Sequence, residues 1–563
     1  METRRFILAL SLSLLVFLVY IKFFAPKPPQ KPPVTETTKQ ETAQQKPASM
    51  PVRPESVAGK IQAAAGGRDI VIETDIVKAV VNTAGGVIKR WELKRYREAD
   101  KTEAGIGALW KKITGEAKRE EKPKKELGNV QLLSQYEGVE RGEMVAPLTL
   151  IPLDKALDKL AHVEFRANLE SIRLDKDNPS GTLILTYTGP SGIMIEKRLT
   201  FTNSDYKVDM TIVTKGLDGY RLSLGTDFGL ADKVSKDASG RVGLVALLDG
   251  KTITEKLESI KGETQYAGTI EWFGQADKYF TATMLYGGAG IITAKRASAP
   301  KEVGDLLSTD LTVKEKPESH SFGLYVGPKS YTLLQAYGHG LEQSVDYGWF
   351  GVLAKPMFWL LRQFYVITNN YGVAIILLTI VVRILLFYPS LKSATAMEEM
   401  KKLQPQLTAL REKYKKDPQR MNQEMMKLYK EHKVNPVGGC LPMLLQLPFF
   451  VALYNVLSVS IELRQSPFIS FWIKDLSVYD PYYILPVLMG VSMILTMKMT
   501  SATPDPSQAK IMMFMNIAFI FLFAWLPAGL LLYITLSNVL SIVQQLYVRK
   551  LIGTSASTSP FIS

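Results

Sequence analysis

Apolar positions follow three rhythms along the chain. Near its start, Phe6 to Ile21 runs sixteen residues without a charge, followed by Lys22, Phe23 and Phe24. From residue 57 to about 345 the rhythm is period two, the signature of half-buried strands. Ile70-Val71-Ile72 and Ala79-Val80-Val81 read as strands, Gly85-Gly86 as a turn, and Val87-Ile88 to Trp91 as the return. The clearest hairpin pairs Thr182–Thr188 with Ile193–Thr202 across Gly189-Pro190-Ser191-Gly192. A turn at Asn203-Ser204-Asp205 then leads into Tyr206, Val208, Met210 and Ile212, which alternate with polar residues. Many short strands divided by turns predict a β-sandwich. The charge-dense stretch 94–126 reads as a surface excursion from it.

Beyond residue 345 long uncharged runs return. The amphipathic stretch Tyr347–Phe364 precedes a run from Tyr371 to Leu391, interrupted by Arg383. Further charge-free runs cover Val437–Ile461, Pro481–Met497 and Ile511–Val548. A spanning helix takes about 20 apolar residues. The last run suits two spans folded back at Leu526-Pro527-Ala528-Gly529, which makes six in all. The N-terminal run reads as an uncleaved anchor, because FFAPKPPQ offers no small-x-small cleavage site and no Cys follows it. Residues 26–56, rich in Pro, Thr, Gln and Lys, read as a disordered tether.

Between the second and third spans, Met400, Leu403, Leu407, Leu410 and Tyr414 recur at coiled-coil spacing, and Met421, Met425, Leu428 and His432 continue it after Lys416-Asp417-Pro418. This predicts an antiparallel helical hairpin whose first helix is kinked at Pro405. Thirteen of the twenty methionines fall between Met397 and Met515, as in surfaces that accept varied apolar partners and equally in ordinary helix cores.

Charge orients these spans. The 563 residues carry a net charge of +14. Fifteen Lys and Arg lie in segment 392–433, loop 498–510 and the tail, against Arg464 and Lys474 on the opposite side. The positive-inside bias puts 392–433 and both termini in the cytoplasm and residues 25 to about 345 outside it. Nothing resembling a nucleic-acid-binding motif accompanies the charge, so no nucleic-acid partner is expected. One cysteine excludes a disulfide scaffold, and four histidines make a structural metal site improbable. No catalytic constellation or nucleotide motif stands out, and neither an enzyme nor a cofactor is expected.

Arg383 is the residue with most to say. A charge at a span centre costs about 2.5 kcal/mol or more. On a straight helix it lies about 13 Å from Lys392. The last three charge-free runs contain no Asp or Glu to pair with it. Either it snorkels to the cytoplasmic headgroups, or it faces a water-filled cavity open to cytoplasm and lipid. Thr379, Gln446, Asn455, Asn516, Tyr533, Ser537, Asn538 and Gln544 are polar side chains able to line such a cavity, or to bond helix to helix. The short fourth and fifth spans predict local bilayer thinning, unless their flanking residues snorkel.

The stretches KVNPVGGCLPMLLQLPFFVALYNVL, ELRQSPF, DPYYILPVLMG and LPAGLLLYITLSNVLSIVQQ complete the picture. With the arginine-bearing span and basic hairpin they resemble the YidC/Oxa/Alb family of membrane protein insertases in its Gram-negative form. The likeness is dense over 345–550 and looser over 57–340. It implies an N-terminal anchor (1–25), a linker (26–56), a periplasmic β-supersandwich (57–345) and an interfacial helix (346–365). A five-helix insertase core with the cytoplasmic hairpin 392–433 (366–550) and a cytoplasmic tail (551–563) follow. It implies insertion and chaperoning of inner-membrane proteins, without ATP, through a hydrophilic groove centred on Arg383 with Thr379 and Tyr533. Gln446, Asn516 and Asn538 join these as candidate groove residues. Ile534 stands where Gram-negative members often carry a second Tyr. The implied partners are nascent membrane proteins, the Sec translocon, the ribosome or signal recognition particle receptor, and membrane lipids. Two other functions compete. A small-solute or anion transporter would use the same arginine but should show an internal repeat. An anchored carbohydrate-processing enzyme would leave five spans unexplained.

Overall fold

The computed structural model describes residues 66–98, 128–133, 144–230, 241–297, 305–314, 319–415, 417–432, 441–500 and 506–557. The expected anchor and tether, and most of the 94–126 excursion, lie outside these residues. Period-two stretches form strands wherever alternate side chains find a core. In Lys207–Lys215, Val208, Met210 and Ile212 are buried while their neighbours face outward. The predicted hairpin is Ser180–Thr188 against Met194–Thr202, in register from Ser180↔Thr202 to Thr188↔Met194. A short 3-10 turn at Pro190–Gly192 joins the two strands.

A five-stranded sheet runs in the order Asn129–Gln131, Val87–Arg97, Val77–Asn82, Asp69–Glu73, Ser171–Arg173. It packs on a twelve-stranded sheet built around the long strands Glu263–Asp277 and Phe280–Ala297. That sheet forks. The first half of Phe280–Ala297 pairs with Ser319–Pro328, and the second half pairs with Leu306–Val313. Trp91, Trp272, Tyr220, Phe228 and Phe273 fill the space between layers, with Trp91 edge-on to Phe228 at 6.2 Å. Gly85 sits in the left-handed region at φ 78°, and an added Cβ there would meet the Ala161 carbonyl at 2.8 Å. The turn it makes presents the Gly85 and Gly86 carbonyls to the buried Lys197 ammonium, 2.8 and 3.1 Å away.

The helices follow: α1 (Tyr331–Tyr337), α2 (Gly351–Thr368), α3 (Tyr371–Leu385), α4 (Phe387–Lys402), α5 (Gln404–Lys413), α6 (Pro418–Glu431), α7 (Leu441–Val459), α8 (Ile484–Thr500), α9 (Pro506–Phe523) and α10 (Ala528–Ser557). Among the described residues one straight helix segment, Ala528–Lys550, is long and apolar enough to span a bilayer, with the bent pair α3–α4 a second. Six full-length spans are thus not confirmed among the described residues, and the first of those expected lies outside them. The apolar α8 is shorter, at 17 residues, and Asp480 accepts the Leu485 N–H at its start, at 2.7 Å. The second expected run is not one rod. It bends by 65° between Leu385 and Phe387. Pro389 causes this, because it has no N–H for the Leu385 carbonyl and its ring would collide with that oxygen. The 13 Å axial offset between Arg383 and Lys392 assumed a straight helix and falls with it.

The hairpin forms as its spacing predicts, with two corrections. Leu403 and Leu407 are buried against Met400, Met425, Leu428 and Tyr429. The first helix breaks at Leu403, and Pro405 opens α5 in its first turn. His432 does not complete the seam. It is exposed at the C-cap of α6, and Tyr429 packs at the seam instead.

Candidate functional site

Arg383 lies in the last turn of α3, immediately before the bend. Its guanidinium turns onto α10. Nε donates to Ser537 Oγ at 3.1 Å, and Nη2 donates to Ser541 Oγ at 2.7 Å and to the Ser537 carbonyl oxygen. From α7, Gln446 Nε2 donates to the same Ser537 Oγ at 3.0 Å. Ser537 and Ser541 are one turn apart, so they share a face of α10. Tyr533, one turn earlier, is buried at 1% exposure. Three helices therefore meet in one polar cluster. All of Arg383's hydrogen-bond partners among the described residues are neutral, so its charge is solvated by dipoles rather than cancelled by an acid. The side chain is only partly exposed and is fastened within the bundle.

The other expected site residues are elsewhere. Thr379 is fully buried, and its hydroxyl donates to the Ile375 carbonyl at 2.6 Å, within its own helix. Asn538 points away from Ser537 around α10 and donates to Ser492 Oγ on α8 at 3.1 Å. Asn516 on α9 contacts Met497 Sδ at 3.1 Å. These two form a separate α8–α9–α10 contact. Asn455 donates to the Tyr347 carbonyl, and Gln544 bonds Ser390 and the Phe387 carbonyl on α4. Ser541 was absent from the expected set. The signal for it is the Ser-x-x-x-Ser spacing from Ser537, which places a second small hydroxyl on the same face. Near the hairpin, Glu398 binds Lys401 at 2.8 Å and Arg549 at 3.0 Å, and both cations also reach the Met499 carbonyl. Among the described residues no His, Cys, Asp or Glu cluster is arranged to hold a metal.

Comparison with known proteins adds a further finding. A model of the 60Kd inner membrane protein family matches residues 363–555, and a model of the YidC periplasmic domain matches residues 118–360. The membrane protein insertase YidC of Geotalea uraniireducens (strain Rf4) is 37% identical over 562 residues, covering 97% of this chain and 99% of its own. That of Geobacter metallireducens (strain ATCC 53774 / DSM 7210 / GS-15) is 34% identical over 568 residues, covering 98% and 99%. A crystal structure of an active YidC insertase with its first transmembrane domain resolved aligns with 86% of this chain and 95% of its own, at 18% identity and a TM-score of 0.37.

Proposed function

The chain belongs to the YidC family of membrane protein insertases, whose members are inner-membrane proteins with a periplasmic domain, and from that premise we propose that Arg383 works in a hydrated groove that receives substrate segments. The observation carrying this reading is the set of neutral partners around the guanidinium. A cation held by Ser537 and Ser541, with no carboxylate bonded to it among the described residues, keeps its charge available to a passing chain. An acidic or hydrated flank of a nascent membrane protein would be drawn into the bilayer at that point and released once its apolar segment entered lipid. The short α8 supports this, because a thinner bilayer lowers the barrier to moving a polar flank across. Gln446 and Tyr533 line the groove in this reading. Thr379, Asn516 and Asn538 act as bundle contacts. The hairpin α5–α6 and both termini lie in the cytoplasm, where the hairpin meets ribosomes or the targeting receptor, and the Sec translocon is a partner for larger substrates.

Insertion of substrates with acidic exported tails and of the same substrates with neutralised tails is compared in proteoliposomes holding either the parent chain or Arg383→Ala. The variant is expected to lose severalfold more activity on the acidic set. Equal loss on both sets would remove the electrostatic role.

A further inference from the structure

The loop joining α7 to α8 faces the β-sandwich, since Arg464 and Gln465 donate to the Arg97 carbonyl at 2.8 and 3.1 Å. It is therefore at the periplasmic end of the bundle. It does not rise away from the helices. Phe468 lies against α3's first turn, where a Cβ on Gly372 would meet its ring carbon at 2.0 Å. Asn370, the N-cap of α3, donates to the Phe468 carbonyl at 3.0 Å. Farther along, the Val478 and Leu476 carbonyls accept the Ala528 and Gly529 N–H groups of α10 at 2.7 and 3.0 Å. Two helix starts thus fix the depth of the loop.

Within it, residues 469–473 form a tight turn. Phe468 N donates to the Ile473 carbonyl and Trp472 N to the Ile469 carbonyl, both at 2.9 Å. The Trp472 indole is tied to the buried Asp480 at 2.8 Å. At the tip of this rigid turn stands Phe471, 80% exposed. None of the described residues covers it. Two exposed apolar stripes run up to the same level. Leu495, Val491, Val487 and Ile484 on α8 end at Tyr482 (60% exposed), and Phe514, Ile517 and Phe521 on α9 end at Trp525 (53% exposed). Lys474 is exposed just past the turn. The aromatic rim is thus continuous with the bilayer-facing sides of two helices of an inner-membrane protein.

We propose that this loop is an anchor in the outer leaflet of the inner membrane. Phe471, which has no polar atom to satisfy, enters the boundary between headgroups and acyl chains. Tyr482 and Trp525 keep their polar tips at headgroup level, and the Lys474 ammonium meets lipid phosphates. The anchor ties the lid over α3 and α10 to the membrane surface.

The test uses the full chain with Cys440→Ser, a spin label at Phe471→Cys, and nanodiscs of phosphatidylethanolamine and phosphatidylglycerol. Lys176→Cys, on an exposed turn of the sandwich, is the aqueous reference. Collision with oxygen is expected to exceed collision with a water-soluble nickel chelate at 471, reversing the order at 176. A label at 471 as open to the chelate as the one at 176 would overturn the anchor. Should F471C not yield folded protein, the neighbouring exposed Ser470→Cys carries the label with the same two outcomes. The assignment rests on membership of the family but not on the groove. Arg383→Ala, which tests the groove, is expected to leave the label's depth unchanged.

Discussion

Lys197 shows what a single charge does when a sandwich closes over it. It is fully buried, donates to three carbonyls, those of Gly85, Gly86 and Leu148, and lies 5.0 Å from the Phe165 ring centre. These dipoles supply what solvation it retains, and burial pushes the ammonium down to about 7 from 10.5. Between those values the unfolded chain keeps the proton and the folded chain has released it, so stability rises with pH across that window. Melting followed by tryptophan fluorescence is expected to show the full chain more stable at pH 9 than at pH 7. Lys197→Met should flatten that slope without abolishing it, because buried Lys329, lowered to about 8, acts with the same sign. An unchanged slope in the variant would mean that Lys197 does not titrate there. Arg383 is the contrasting case. Its fork of donors matches two serines on one helix face, a geometry that the compact lysine head does not reproduce.

At the scale of the element, the α3–α4 bend is the feature that sequence periodicity could not show. Apolar residues continue from Tyr371 to Leu391, and only Pro389 reports that the rod must break one turn earlier. Pro389→Ala restores the missing N–H, and a spin-label distance from Val373→Cys to Lys402→Cys, with Cys440→Ser, should lengthen by roughly 7 Å as the two segments straighten. An unchanged distance would place the cause in tertiary packing. The same contrast explains how much was legible. Strands with strict alternation, such as Lys207–Lys215, were readable because one face is core and the other is solvent. The hairpin seam was readable through Leu403 and Leu407, but not at its end, where capping exposes His432. Arg383, Gln446 and Tyr533 were visible as polar residues in apolar runs. Which of them meet depends on rotation about each helix axis, and apolar runs surrounded by lipid carry little amphipathic signal for it. Ser537 and Asn538 are adjacent in sequence yet face different helices.

For the whole molecule, the question is how a large periplasmic sandwich is held to a small bundle. A short segment does much of it. Arg464 reaches the Arg97 carbonyl and packs over the Tyr279 and Phe280 rings at 5.8 and 5.5 Å, while Ser330 donates to Glu462 at 2.8 Å. Burial holds the Glu462 carboxyl above the usual range, so this junction favours the protonated acid more than an exposed one would. Arg464→Ala removes one hydrogen bond and two cation–ring contacts. Labels at Lys176→Cys and Lys355→Cys, again with Cys440→Ser, should then give a broader distance distribution while the sandwich melts as before. A distribution as narrow as that of the parent chain would show that the remaining contacts suffice. The attachment of Arg383 has a mechanical consequence. Both serines that grip it belong to α10, and a one-residue rotation of that helix, about 100°, would withdraw both together. Farther along the same helix, Arg549 is strapped through Glu398 to the root of the hairpin. A twist imposed at the hairpin root would thereby be carried along one shaft to the grip on the guanidinium.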